Sequence, residues 1–365
     1  MITKKSSVTK RKRGRLLLIP LFAITLVMTV LAGCSSNQTP SGSTATPGSS
    51  TPAPTVEADQ SKDFVLRIGY GGSLCEAPLH MAYEKGYFEE EGLKVELTKL
   101  APGTIFDAVT ANQVDAGFSL LASLVQPLSN GLPVKITTGL HTGCDKVLAK
   151  KDSGITSPAD FKGKKVGVPS MTSSPIIFTK RVLADNGIGV GVQNSEVEFV
   201  VYSTTDLPIA LENGAVDAIA MNDPTATIAA NEYDLNVVFD SALDAPYKDQ
   251  YCCSAFVREN IVTDYPDIAA KYTRAMQKAS AWVQENQDEA AKIQVDNKWV
   301  AGDAEVNAKV LKTFNYIPSV SGAYDAFGIT AKQLQEVGML DAGVDVDNLH
   351  KNSFTALDGI PEEYK

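Results

Sequence analysis

Cys34, Cys75, Cys144, Cys252, Cys253, His80, His141 and His350 are the side chains of this 365-residue chain best suited to bond formation. No C-x-x-C pair occurs among them, so no structural zinc motif is read and no metal is assigned. Cys252 and Cys253 are adjacent, and adjacent cysteines bridge each other only under strain. His141 and Cys144 lie close in sequence, but no third residue is placed to orient them as a base and a nucleophile. There is no G-x-S-x-G elbow. Gly187-Ile-Gly189-Val-Gly191 follows a helix rather than a strand, so a dinucleotide loop fails its context. No catalytic residue and no cofactor is expected.

Binding chemistry is better represented. Pro169-Ser170-Met171-Thr172-Ser173-Ser174-Pro175 leaves a strand and enters a helix. Proline at the first helical position makes Ser174 the expected cap. Free N–H groups and hydroxyls at such a point suit an anion, aided by the positive helix end. The plainer reading is a serine-rich cap serving only its helix. Gly71-Gly72-Ser73-Leu74-Cys75 is the matching loop after the first strand, where glycine lets the backbone approach a ligand. Ser119, the Thr142-Gly143-Cys144 segment after His141, Asn222-Asp223 and Tyr251-Cys252 also fall at strand ends. With Gly72, Ser73, Leu74, Cys75, Ser170, Met171, Thr172 and Ser173 they make up the expected ligand-binding set.

The elements that must hold these loops alternate. Phe64–Gly69, Leu93–Leu97, Ala116–Phe118, Val134–Thr138, Val166–Val168, Val197–Tyr202 and Ala218–Met221 read as strands. Helices are expected at Pro78, Thr104–Gln113, Leu120–Leu128, Pro175–Asn186 and Leu207–Asn213, and almost continuously after Val257. This pattern predicts mainly parallel sheets covered on both faces. Val-Asp-Ala recurs at Val114-Asp115-Ala116 and Val216-Asp217-Ala218, each time after a helix and an Asn-containing turn. Two similar α/β lobes would produce that echo.

The N-terminus reads as an export address. Seven basic residues precede an apolar run, Leu16–Leu31, that ends in Leu31-Ala32-Gly33-Cys34. The run is shorter than the ~20 residues a spanning helix needs, and its layout is that of a cleaved signal. Residues 1–33 are therefore expected to be a lipoprotein signal peptide and Cys34 the lipidated residue. The stretch to residue 62 is Ser/Thr/Pro-rich and reads as a tether. A single acyl chain holds a protein only marginally and several hold it firmly. The expected location is the extracytoplasmic face of the cell membrane, with the membrane met through the anchor alone.

Of 33 basic and 43 acidic residues, the signal takes seven basic ones and no acid, leaving a formal charge near −17 beyond it. Such a surface repels nucleic acid. An oxidising exterior makes a disulfide the first reading of the remaining thiols.

Three segments resemble one family. Glu84-Lys85-Gly86-Tyr87-Phe88 with Gly92-Leu93 is similar to the opening of ABC-importer solute-binding proteins of the nitrate, sulfonate (taurine) and bicarbonate group. Asp160-Phe161-Lys162-Gly163-Lys164-Lys165-Val166-Gly167-Val168 resembles the start of that family's second lobe, and Asn213-Gly214-Ala215-Val216-Asp217-Ala218 fits as well. The resemblance implies an α/β, type II periplasmic-binding-protein fold: two α/β lobes with a central ligand cleft. It places lobe one at 63–149 and 246–365, with the C-terminal helices, and lobe two at 150–245.

It also implies a monomer that captures a nitrate-, sulfonate- or bicarbonate-like anion or a small heterocycle. The solute would pass to a membrane permease driven by an ATPase. Asn222 stands where the family often has an aromatic residue, which weakens a direct transfer of anion specificity. If the family topology holds, the loops carrying Cys75, Cys144 and Cys252 face one cleft. Three readings follow: a Cys75–Cys144 disulfide, a soft ligand with Cys252 or Cys253 as third donor, or ordinary buried residues. The alternatives to transport are a surface sensor or an enzyme resembling the thiamine-pyrimidine synthase of this fold. That enzyme depends on a dense Cys/His cluster, which the sequence is not read as supplying.

Overall fold

The computed structural model describes residues 64–101 and 103–362. The signal over 1–33, Cys34 with its lipidation and the tether to 62 lie outside the described residues. No described helix is long and apolar enough to cross a membrane.

The strands are β1 (Val65–Tyr70), β2 (Lys94–Lys99), β3 (Ala116–Leu120), β4 (Val134–Thr142), β5 (Asp145–Lys150), β6 (Lys165–Val168), β7 (Glu198–Val201), β8 (Ala218–Asn222), β9 (Leu235–Asp240) and β10 (Tyr251–Arg258). They form two five-stranded sheets, ordered β2-β1-β3-β10-β4 and β7-β6-β8-β5-β9. The inner strands β3 and β8 are almost wholly buried, as strands covered on both faces must be. The edge strand β2 alternates, exposing Lys94 and Glu96, and charge on an edge discourages pairing with another chain.

Both sheets are mixed, not mainly parallel. β10 runs antiparallel to β3 and β4, and β5 runs antiparallel to β8 and β9. These strands carry the chain from one lobe to the other, and each runs against the direction of its neighbours in the sheet it enters. β5 belongs to the second sheet, so that sheet begins at Asp145 rather than at 150. β9 was not read from the sequence.

The Val-Asp-Ala echo has a common job. Asp115 Oδ2 accepts from the Arg67 N–H at 3.1 Å and Asp217 Oδ2 accepts from the Lys165 N–H at 2.8 Å. In each lobe the carboxylate satisfies a donor near the start of the parent strand that the ladder leaves unpaired.

Helix Pro266–Glu285 lays Ile268, Tyr272, Met276 and Val283 onto the first sheet, and the Tyr272 hydroxyl donates to the Gly117 carbonyl at 2.7 Å. A second core is shared by the lobes: Val166 and Phe178 of lobe two lie in one cluster with Phe256, Phe327 and Leu334. Helix Val320–Glu336 makes that connection. It packs on β4 and β10 and also meets helix Ser174–Asp185. A Cβ at Gly139 of β4 would stand 2.5 Å from the Tyr251 ring and 2.8 Å from Ala323 Cβ, so only glycine allows this approach. Gln333 accepts from Arg181 Nε at 2.5 Å at the far end of the helix.

Candidate functional site

A cleft of about 840 Å³ opens between the lobes. Gly72, Ser73, Cys75 and Ser119 line it from the first lobe, and Ser170, Thr172, Ser173, Asn222 and Asp223 from the second. The other expected residues do not line it. Leu74 and Cys144 are completely buried. Met171 is 49% exposed and outside the lining. Thr142 is buried in β4, while Gly143, Tyr251 and Cys252 border a separate cavity of about 30 Å³. The apolar part of the cleft, including Leu100, Ile105, Phe106, Ile177, Leu334 and Met339, was not anticipated. Its residues come from five separate segments, so no spacing announces it.

The glycine loop does not hold its N–H groups free. Glu76 Oε1 accepts from the Gly71 N–H at 2.7 Å, and Oε2 accepts from Gly72 at 2.7 Å and Ser73 at 2.8 Å. Ser73-x-x-Glu76 is a capping box, a sequence signal that would have found this role. Burial pushes the Glu76 carboxyl up to about 7, although the three N–H donors favour its charged form.

The serine loop meets a carboxylate too. The Ser174 hydroxyl donates to Asp145 Oδ2, while Asp145 Oδ1 is buried with no protein partner. Burial drives the Asp145 pKa well up, assisted by the nearby Cys252 charge. Asp145 and Arg181 both border the small cavity, and Arg181 donates to Gln250 and Gln333. A space of that size holds a water or two. Only Ser170, Thr172 and Ser173 keep hydroxyls at the cleft; they bond mainly within their own turn, Ser173 Oγ to the Ser170 carbonyl at 2.9 Å.

Asp223 is also engaged. Lys146 Nζ donates to its Oδ2 and lies 3.3 Å from Asp240 Oδ2, and the Thr227 hydroxyl donates to Oδ1 at 2.8 Å. Burial works to lower the Lys146 pKa, but the two carboxylates outweigh it and raise it.

Cys75, His141, Cys144, Cys252 and Cys253 converge behind the cleft wall. The ligand atoms of Cys75, His141 and Cys253 lie within 4.8 Å of one another, as do those of Cys144, Cys252 and Cys253. This corrects the expectation that a dense Cys/His cluster is absent. The end of β1, the β4–β5 crossing and the start of β10 meet at one point, as the resemblance implied for the loops carrying Cys75, Cys144 and Cys252; spacing alone does not reveal it. All four cysteines are free thiols. The expected Cys75–Cys144 bridge is not formed: Cys144 Sγ faces Cys253 Sγ at 3.9 Å, and Cys75 Sγ faces Ser73 Oγ at 3.1 Å.

His141 is completely buried, with Nδ1 3.1 Å from the Thr142 carbonyl and Nε2 3.2 Å from the Cys75 carbonyl. Only a doubly protonated ring donates to both. Burial opposes that charge, but the bond to Cys75 raises the His141 pKa. Hydrogen bonds from Cys144 and Cys253, with His141 adding its charge, hold the Cys75 thiol well below its usual value. Burial raises the Cys144 and Cys253 thiols, leaving them protonated as donors. The cluster thus sets the His141 imidazolium beside two thiols held low, Cys75 and Cys252, the latter likewise through hydrogen bonds from Cys144 and Cys253. Its thiols and imidazole are also a donor set that suits Zn²⁺ or Cu(I).

Known proteins place the chain. It is similar to a Bacillus subtilis (strain 168) protein named as aliphatic sulfonates-binding, 25% identical over 92% of this chain and 95% of the relative. A 4-amino-5-hydroxymethyl-2-methylpyrimidine phosphate synthase from Aspergillus parasiticus is 28% identical over 66% of this chain and 72% of its own. The alkanesulfonate-binding protein SsuA from Xanthomonas axonopodis pv. citri, solved with MOPS, matches with a TM-score of 0.65 and 17% identity, covering 78% of this chain and 97% of that one. That likeness assigns the fold: two α/β lobes of the periplasmic-binding type. The family model described as NMT1/THI5 like matches residues 76–290, more than half of the sequence, and the chain belongs to that family.

Proposed function

We propose that this chain is the extracytoplasmic solute-binding component of an ABC importer, held to the membrane through Cys34. The observation that carries this is the cleft itself. It lies between two lobes joined by the crossings after β4 and β9, and both lobes contribute hydroxyls and apolar side chains to it. A solute that touches both walls favours the closed arrangement, and a permease can distinguish the closed form from the open one. The sulfonate-binding names of its relatives support the class. Gly72, Ser73, Ser119, Ser170, Thr172, Ser173 and Asn222 are the groups proposed to hold the solute.

Full chain purified in detergent without refolding should retain a small molecule at one copy per protein in native mass spectrometry. Adding that molecule should compact the protein in small-angle scattering. Binding with no change in shape would count against delivery to a permease.

The second reading is an enzyme, and the thiol–imidazole cluster favours it, together with the synthase name of one relative. Cys75 brings that cluster to the cleft wall. Retained solute recovered chemically unchanged after prolonged incubation supports binding; a new product supports the enzyme.

A further inference from the structure

The thiol cluster sits at the neck of the second lobe. Every strand of the second sheet, β5 to β9, lies between Cys144 and Cys252 in the chain, so both covalent connections between the lobes pass these residues. On the outgoing connection Gly143 holds φ at +77°, and a Cβ there would stand 2.6 Å from Ala242 Cβ on the returning one. The Ser241 hydroxyl fastens the two together, accepting from the N–H groups of Cys144 at 2.9 Å and Asp145 at 2.8 Å.

Neighbouring side chains of a strand ordinarily point to opposite faces. Here the pairing of β10 with β4 slips: Tyr251 faces Thr142 and Cys253 faces His141, which leaves Cys252 as an extra residue. Such a bulge re-aims a side chain. The Sγ atoms of Cys252 and Cys253 accordingly lie within 4.8 Å of each other and of Cys144 Sγ.

The four thiols are not equally placed. Cys75, Cys144 and Cys253 are completely buried. Cys252 is partly exposed and borders the small cavity of about 30 Å³. Hydrogen bonds from Cys144 and Cys253 also hold it toward the thiolate, the form that attacks a disulfide. Once Cys252 carries an adduct, Cys253 is a poor resolving group because adjacent cysteines bridge only under strain. Cys144 faces it from the other connection.

We propose that Cys252 is a modification site for small-molecule disulfides, and that Cys144 resolves the adduct into a Cys144–Cys252 bridge across the neck of the second lobe. The Cys252 thiolate attacks one sulfur of the reagent, forming a mixed disulfide and releasing the other half as a thiolate. Cys144 then attacks the Cys252 sulfur and displaces the second half, which takes up the proton that Cys144 loses. Two protein thiols are oxidised, and one reagent disulfide is reduced to a thiol and a thiolate. The bridge closes a loop around the entire second lobe and limits rotation at Gly143. It is independent of what the cleft holds.

The test treats the full chain in detergent and EDTA with bis(2-hydroxyethyl) disulfide. Samples are quenched with iodoacetamide over time and mapped by non-reducing peptide mass spectrometry, which separates these thiols from Cys34. The reagent's adduct should appear first on Cys252 and give way to a linked Cys144–Cys252 peptide pair. Cys144→Ser should stop at the Cys252 adduct, and Cys252→Ser should slow modification of the remaining cluster thiols about tenfold or more. The time course of the native chain decides even where a variant fails to fold. A first adduct on Cys75, Cys144 or Cys253, or a Cys144–Cys253 bridge, would overturn the proposal. So would a folded chain that leaves Cys252 unmodified while the urea-unfolded chain reacts.

Discussion

The two loops that face each other across the cleft solve one problem by different means. Each follows a parallel strand and starts a helical segment, and each meets a buried carboxylate. In the first lobe the carboxylate is local: Glu76 lies within reach of Gly71, Gly72 and Ser73 and takes all three of their N–H groups. In the second it comes from another strand. Asp145 of β5 receives one hydroxyl from Ser174 and keeps one oxygen without a protein partner. The local version is complete before the lobes meet. The long-range version depends on β5 being seated, and β5 is the strand that crosses from lobe one. A rigid wall therefore faces one whose polar order depends on the hinge.

If that difference is real, damage at β5 should be the more severe. Lys146 follows Asp145 on that strand and neutralises two buried carboxylates. Lys146→Met should cost about 3–5 kcal/mol, because breaking a buried pair leaves charge without compensation. Urea unfolding measures it, and a loss below ~1 kcal/mol would show that the second lobe does not lean on β5.

The local carboxylate has a pH signature. Its pKa rises from 4.5 unfolded to about 7 folded, chiefly through burial. A raised acid stabilises the fold fully below the unfolded value, and that contribution is lost as pH climbs through 7. Relative to Glu76→Gln, the native chain should lose roughly 3 kcal/mol between pH 4.5 and pH 8. His80 changes in the opposite sense, since burial lowers its pKa to about 3, but it is common to both proteins and cancels in the difference. Parallel curves for the two proteins would mean that Glu76 titrates normally in the fold.

The smallest effect belongs to the hydroxyls. Thr172→Ala and Ser173→Ala should each weaken solute binding by about 1 kcal/mol, the net value of a neutral hydrogen bond. Calorimetry with the co-purified solute decides, and unchanged affinity would make this loop a helix cap only.

Much of the frame was readable from particular residues. Asp115 and Asp217 announced a repeat, and both bind the start of their parent strand. Gly71-Gly72-Ser73 and the Ser170–Ser174 run were visible as loops after strands, and both reach the cleft. Their use was misjudged because the partner determines it. Glu76 was within sight as a capping box, whereas Asp145 reaches Ser174 only through sheet pairing. The meeting of the thiol loops was legible only through the family topology, for they come from three segments with no shared spacing, and their density around His141 was not read. β9 was missed because burial does not alternate along Leu235–Asp240: Val237 is exposed between the buried Leu235 and Phe239.

Helix Val320–Glu336 has a consequence for how a solute leaves. It is anchored on lobe one and touches lobe two at its end through Gln333, while its neighbours Leu334 and Met339 line the cleft. That side is bolted, so separation of the lobes must gape on the side away from this helix. Departure is then directional: cargo exits through one aperture, and whatever receives it has to be stationed there.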